Sequence, residues 1–534
     1  MASRMMVMRV NDKYNIVLIT IDALRYDHCG FNGYHRDTTP RIDQLAQNAA
    51  VFDNMYATGP CTPPSFCSMF TATFPFDRGG YSPLPAGKTT IAEVLSRHGY
   101  QTAGFTSNPQ NSHYFNYNRG FQRFFDSLGA SSKNPITRQV LAHFERSGKR
   151  SNALYNRIQS AKIFPKIVQA SLKRLFYRIF LGRSVIYYVR ARGITRRALK
   201  WLWYHYITSN PQDGAAKRPF FLWTHYMDTH DPFIPKWKDL VEINPRFNKK
   251  EFDYVKRFPE YTDVLKINKR KRSLVDLYDA ALRAADERIG FFVRRFKRKG
   301  VFDKTIFFLT SDHGEEFNEH GDFGHRAHLY NELLHVPFMV FGGPVERGEI
   351  QGIKAGTRIT DTFSLGQLAP TILDLLGIRR PASFDMDSMM PHLARAVSGQ
   401  AARENASTIF PARHVMACTF HKGIETRFNE LKDKAIKRMV SIQDHAYKFI
   451  LDMATTRCEL YDLRADPGEK VDISMARPGI VEQCIAICKE YVKGNGRGLS
   501  RTGSMKGEAG ENEDDASGER AKITKAIARL KVRL

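Results

Sequence analysis

The stretch SDHGEEFNEHGDFGHRAH, residues 311–328, gathers Asp312, His313, His320, His325 and His328 among glycine-rich turns. A carboxylate beside an imidazole offers the hard and borderline donors that a divalent cation takes. A second stretch, HYMDTHDPFIP at 225–235, adds His225, Asp228, His230 and Asp231. His230, just before Asp-Pro, falls in a turn and suits ligation or proton transfer, whereas His225 is still inside an apolar run and reads as core packing. Asp22 closes a third run, with Arg25 three residues on. Nucleophiles stand in ATGPCTPPSFCSMFTATFP, residues 57–75, where Cys61 and Thr62 adjoin ahead of Pro63 and Pro64. These residue types make a metal site with an oxygen or sulfur nucleophile in reach.

The elements that must position them are short apolar runs. YNIVLITI (14–21) stops at Asp22, FFLWTHYM (220–227) at Asp228, and TIFFLTS (305–311) at Asp312. Runs this apolar predict strands buried on both faces, the pattern of a mainly parallel sheet covered by helices. Helices are expected over 40–49, 90–98 and 273–299, the last two stopped by Gly99 and Gly300. In such sheets ligands collect beyond the carboxyl ends of the strands, so three distant segments aim polar groups at one edge.

Composition sets the bounds. At 534 residues, 42% of them hydrophobic, the chain suits one large α/β domain and a smaller one. No apolar run reaches the roughly 18 residues of a membrane span, and MASRMMVMRVNDKYN lacks an apolar leader core, so a cytoplasmic protein is expected. Seven scattered cysteines fit reduced thiols, with Cys484 and Cys488 packing from one helix face. The net charge of +26 points to a polyanionic partner, an anionic membrane surface or an acidic polymer. Residues 135–205 carry sixteen Lys and Arg against one acid, Glu145. Within them PKIVQASLKRLFYRIFLGR reads as a basic amphipathic helix, either a docked lid with a solvated face or a peripheral membrane contact. No specific nucleic-acid motif is present: zinc-finger spacing and an aromatic-interleaved single-strand platform are both missing.

Taken in order, IDALRYD, CTPPSFCSMFTATFP, HYMDTHDPF, SDHGEEFNEHGDFGHRAHLYNELLHVPF and CELYDLRADPGEKVDI resemble the sulfatase family of the alkaline-phosphatase superfamily, over roughly residues 14–475. The resemblance implies an α/β fold, an alkaline-phosphatase-like mixed, mainly parallel sheet flanked by helices, with a smaller C-terminal α+β subdomain holding RMVSIQDHAYKFILD and CELYDL as strands. The divisions expected are a catalytic domain over 1–390 with a basic helical insertion at about 135–215, a subdomain over 391–500, and 501–534 as an acidic linker and basic amphipathic terminal helix. It implies an anionic ester as substrate. By the same likeness Asp22, Asp312 and His313 hold a metal, Thr62 both ligates it and attacks, and His325, where sulfatases commonly place Lys, is a further metal ligand that with His230 holds a second ion or handles the leaving group. His230 contacts the substrate oxyanion or protonates the leaving group. Arg25 steadies the nucleophile loop or an anionic substrate, and Asn108 and Asp228 line the substrate pocket.

The nucleophile loop is where the family divides. Sulfatases carry Cys-x-Pro-x-Arg before Leu-Thr-Gly, and oxidise the Cys to formylglycine. Counting Cys-x-Pro forward selects Cys61; counting back nine residues from Thr71 of MFTA selects Thr62. Neither register finds the Arg, for Ser65 or Phe66 stands there. Calcium-binding sulfatases usually have two successive acids after the first strand, but Ala23 follows Asp22. That loss, with His for Lys at 325, favours zinc or manganese over calcium or magnesium, as one ion or two. A Thr62 nucleophile favours phosphoester over sulfate-ester chemistry. Two alternatives stand beside it: a formylglycine sulfatase using Cys61, and a catalytically idle relative that binds a membrane or polyanion.

Overall fold

The computed structural model describes residues 14–75, 83–84, 86–127, 188–208, 217–257, 271–325, 328–397, 415–421, 437–452 and 455–492. The terminal segment 501–534 and the expected basic helix at 165–183 lie outside them.

Eight strands form the main sheet: β1 (Asn15–Ile21), β2 (Ala50–Tyr56), β3 (Gln101–Phe105), β4 (Arg123–Phe125), β5 (Phe220–Tyr226), β6 (Thr305–Ser311), β9 (Phe338–Gly342) and β10 (Thr357–Ser364). A two-residue hairpin, β7 (Glu316–Phe317) with β8 (Phe323–Gly324), stands apart. The order is β10-β2-β9-β6-β1-β5-β3-β4, and only β9 runs against its neighbours. The continuous apolar runs have a direct cause. Ile16 and Leu18 of β1 enter one core with Phe221, Trp223, Ile306 and Phe308, while Val17, Ile19 and Ile21 enter the other with Leu222, Phe307 and Leu309. Each central strand is apolar on both faces because helices cover both.

One face is covered by α2 (Thr62–Thr71) and α3 (Ile91–Arg97), the other by α1 (Pro40–Ala46), α4 (Ala191–Leu202) and the long α5 (Lys271–Arg298). The three expected helices thus form, with α1 ending three residues early at a turn through Gln47 and Asn48. A reciprocal cap starts α3, with Thr90 Oγ1 accepting from Glu93 N and Glu93 returning to Thr90 N.

A second, antiparallel sheet follows, β11 (Val415–His421), β12 (Lys437–Gln443), β13 (Tyr447–Asp452) and β14 (Cys458–Asp462). The helix α6 (Pro478–Val492) covers it, burying Cys484 and Cys488 against Val440, Phe449 and Leu460 as ordinary core. Buried Lys448 of β13 joins Glu469 at 2.9 Å and Asn331 of the main domain at 3.0 Å, tying the two sheets together.

His335, just before β9, stacks on Tyr26 (3.8 Å) and Tyr56 (4.9 Å) and donates from Nε2 to the Asp53 carbonyl at 2.6 Å. Burial pushes its imidazole down to about 4. The unfolded chain therefore takes up this proton first, so the stabilisation is full above about pH 6.5 and is lost as pH falls toward 4. Denaturant unfolding at pH 7.5 and 4.5 is expected to show wild type losing roughly 2 kcal/mol more than His335→Gln over that interval.

Candidate active site

The carboxyl ends of β1, β3, β5 and β6 converge with the start of α2. Asp22 follows β1 directly, and the chain turns at once through Ala23, whose φ of +55° is unusual for a residue with a Cβ. Three bonds hold that turn: Ala23 N–H to Asp312 Oδ1 (3.3 Å), Leu24 N–H to Ser311 Oγ (2.8 Å), and Tyr278 O–H to the Ala23 carbonyl (2.8 Å). Where calcium-binding sulfatases would carry a second acid, this chain offers only a backbone N–H, and it grips Asp312.

Thr62 opens α2, a helix buried along its whole length. Pro63 and Pro64 sit in the first turn, where a helix leaves its N–H groups unpaired and loses nothing by lacking them. The Thr62 hydroxyl lies 3.5 Å from Asp22 Oδ2, 3.4 Å from His313 Nε2 and 3.1 Å from Asn108 Nδ2. Asn108 accepts Gln110 N–H on its own oxygen (2.9 Å), which aims its amide group at Thr62 and at Asp22 Oδ2 (2.8 Å). Cys61 is the residue before the helix, in extended backbone.

His225 belongs to this cluster, contrary to its reading as core packing. Its Nε2 is 3.1 Å from Asp22 Oδ2 and its Nδ1 2.9 Å from Thr20 Oγ1, which also accepts the Trp223 indole N–H at 3.0 Å. It does touch the core, edge-on to Phe66 at 5.0 Å. The signal was strand alternation, since residues 221, 223 and 225 share the face that α2 covers.

Beyond β6, Gly314 lets the loop pass against another strand of chain, where a Cβ would lie 1.9 Å from the Glu332 carbonyl. The β7–β8 hairpin then returns His325 to within 4.5 Å of the His313 ring and 5.0 Å of the His230 ring. His313 donates Nδ1–H to the Gly314 carbonyl (2.8 Å), leaving Nε2 toward Asp312 Oδ2 (3.5 Å) and Asp22 Oδ1 (3.8 Å).

The structure does not bring Arg25 or Asp228 to Thr62. The Arg25 guanidinium is buried but bonded to Asp27 (2.7 Å), Glu319 (3.1 Å) and the Glu315 carbonyl (2.9 Å), so it braces the loop after β6 instead of the nucleophile. Asp228 accepts the Ala191 N–H at 2.7 Å and so caps α4, burial pushing it up to about 6. The remaining histidines of the loop serve a separate group: His328 bonds Glu316 (2.8 Å), and His320 bonds Glu332 (2.5 Å) and the Glu469 carbonyl (3.0 Å), linking the loop to the region of the small sheet.

The cluster fits a divalent cation. Asp22, His225 and Asp312 present ligand atoms within 4.8 Å of one another, and Asp22 Oδ1 and Asp312 Oδ2 are buried without a hydrogen-bond partner. Two bare carboxylate oxygens facing one imidazole nitrogen are costly unless positive charge lies among them. The acids differ accordingly. Burial raises Asp22, but His230, His225 and His313 outweigh it and hold the carboxyl well below its usual range; burial and the neighbouring Asp22 push Asp312 up. Burial also pushes His313 down, while His325, despite burial, is lifted to about 9 by Glu315 at 3.0 Å and by Asp22 and Asp312. His325 is thus an imidazolium at neutral pH.

A mixed sheet with a small antiparallel companion, and a helix-borne hydroxyl facing paired acids at its carboxyl edge, is an alkaline-phosphatase-like arrangement. The Sulfatase family model matches residues 14–378, more than half of the chain, which therefore belongs to that family of enzymes. The chain is 23% identical over 472 residues to arylsulfatase K of Homo sapiens, covering 87% of this chain and 80% of the relative. Arylsulfatase K of Danio rerio is also 23% identical, over 489 residues, with 90% and 84% covered. A structure solved in complex with its substrate D-glucosamine-2-N,6-O-disulfate superposes with a TM-score of 0.61 at 18% identity, covering 90% and 98%. The phosphonate monoester hydrolase of Agrobacterium radiobacter does so at 0.59 and 18%, covering 89% and 95%. At these identities the structural likenesses establish the fold.

Proposed function

We propose that the protein cleaves phosphate esters through a covalent Thr62 intermediate, as a hydrolase or as a transferase to an acceptor alcohol. The observation that carries this reading is the Thr62 hydroxyl, which lies within 3.5 Å of Asp22, His313 and Asn108 at once. Asp22, His225, Asp312 and His313, with Thr62 itself, would hold the metal. Two carboxylates and two imidazoles favour zinc or manganese over calcium, which prefers an all-oxygen shell. When bound, the metal supplies Lewis-acid charge that activates the threonine oxygen and offsets charge on the ester.

The chain's own groups do the rest. Asn108 donates toward Thr62 Oγ1 and fixes it at the helix start. Thr62 Oγ1 gives up its hydroxyl proton to solvent and bonds to phosphorus as the bond to the ester oxygen breaks, and that oxygen takes a proton from the His325 imidazolium, which Glu315 orients. His230, 5.0 Å from the His325 ring, adds a second imidazole to the wall on which an anionic ester lies. Water or an alcohol then attacks phosphorus and gives its proton to the His325 imidazole, and the P–O bond to Thr62 breaks with the threonine oxygen regaining a proton from solvent. A sulfated threonine lacks the hemiacetal exit that formylglycine provides, which favours phosphorus over sulfur.

The test is a panel of aryl sulfate, phosphate monoester and phosphodiester. Phosphoester turnover is expected to exceed aryl-sulfate turnover by about tenfold or more in kcat/KM. Preferential sulfate release that depends on Cys61 would overturn the reading.

A further inference from the structure

The edge of the sheet opposite the catalytic residues carries a surface that ester cleavage does not use. α4 does not stop at Leu202 but widens into a π-turn, Trp203–Ile207, closed by Thr208 N–H to the Trp203 carbonyl at 2.9 Å. Such turns are uncommon and gather at functional sites. Here it leaves three consecutive side chains exposed, with Trp203 at 39% and Tyr204 at 60%. Between α4 and the end of α5 lies a cleft of about 180 Å³, with Leu199, Leu202, Trp203 and Ile207 among its lining and Lys200, Arg295 and Lys299 at its walls.

Cations at the end of α5 are in part ordinary, because a helix C-terminus favours positive charge. Their setting is not. Lys299 Nζ lies 4.1 Å from the centre of the Trp203 ring, Lys200 Nζ 5.6 Å from that of Tyr204, and Arg295 5.9 Å from that of Phe291, itself 38% exposed. Among the described residues, Lys297 has Glu346 as an ion-pair partner, but Lys200, Arg294, Arg295, Arg298 and Lys299 have none. A fixed patch of unpaired cations interleaved with exposed indole, phenol and phenyl rings meets both needs of a bilayer interface: anionic headgroups pair with the cations, and amphipathic rings enter the headgroup layer.

We propose that this patch seats the protein on an anionic phospholipid bilayer. Tyr206 packs on Phe220 at 4.8 Å and reaches Asn15, so the patch lies at the starts of β1 and β5, roughly 20 Å along a seven-residue strand from the catalytic edge. The active site then faces away from the bilayer, and attachment and ester cleavage are separable.

The experiment sediments the full chain with vesicles of phosphatidylcholine alone or mixed with phosphatidylglycerol, at low and high salt. Wild type is expected to bind only the anionic vesicles, to release in high salt, and to show a blue shift of tryptophan emission that Trp203→Phe removes. The double variant Lys200→Glu/Lys299→Glu is expected to bind about tenfold more weakly or worse, with kcat on a soluble aryl ester and the unfolding temperature unchanged. Tyr204→Ala, at an exposed position, gives a second variant with the same expected direction. Equal vesicle binding by wild type and the double variant would overturn the proposal by placing attachment on other basic segments. Binding to a soluble polyanion with no binding to vesicles would overturn it as well.

Discussion

Thr62→Ala is expected to lose ester cleavage by about 10³-fold or more, with Cys61→Ala within a few-fold of wild type on the same substrate. The asymmetry follows from position. The two residues adjoin, but it is the Thr62 oxygen that Asn108 donates to and that stands 3.4 Å from His313 Nε2. A helix begins at Thr62, so its side chain projects from a rigid, buried turn with its backbone fixed by two prolines. Thr62→Ser keeps the hydroxyl and sheds only a methyl, so it is expected to retain most of kcat with some loss of rotamer control. A covalent adduct trapped in single turnover should map to the peptide carrying Thr62 and vanish in Thr62→Ala. If Cys61→Ala were the dead variant and Thr62→Ala the active one, formylglycine chemistry at position 61 would replace the phosphoester reading.

The parts of this site that were legible in the sequence are those set by burial. Asp22 and Asp312 end runs apolar on both faces, and such runs have few uses other than central strands of a covered sheet. Two acids ending adjacent parallel strands must meet, and they do. His225 was misread for the same reason: among Phe221, Trp223 and Tyr226 an imidazole looks like core, and only the pairing of Thr20 with His225 across β1 and β5 brings it to Asp22. Arg25 and Asp228 were placed by the family likeness and by their positions after a strand, and neither reveals that Asp27 and Glu319 lie nearer one, or the start of α4 nearer the other. Proline spacing could not separate the nucleophiles either, because Thr62–Pro63–Pro64 satisfies nucleophile-x-Pro as well as Cys61–Thr62–Pro63 does. The proposal for Thr62 rests instead on the helix start, which sets its hydroxyl within 3.5 Å of Asp22, His313 and Asn108.

Stripping divalent metal with a chelator is expected to abolish activity and to lower the unfolding temperature by several degrees, with both restored by zinc or manganese. The thermal effect comes from the two partnerless oxygens, Asp22 Oδ1 and Asp312 Oδ2, which are buried with His313 Nε2 3.8 Å from the one and 3.5 Å from the other. Without a cation the pair resists double ionisation: Asp22 keeps its charge and Asp312 is driven toward its protonated form by burial and by Asp22. A cation among them lets both ionise, and binding a folded-state site at 100 times its Kd adds about 2.7 kcal/mol of stability. Asp22→Asn separates this account from a purely structural one. It removes the charge but keeps a group that can accept from Asn108, so its metal-free form should be no less stable than metal-free wild type. Its unfolding temperature should then no longer respond to metal, and its activity should fall by about 10³-fold. An Asp22→Asn protein that still gains thermal stability from zinc would place the cation elsewhere, with Glu316, His320 and Glu332 the next set of donors to examine.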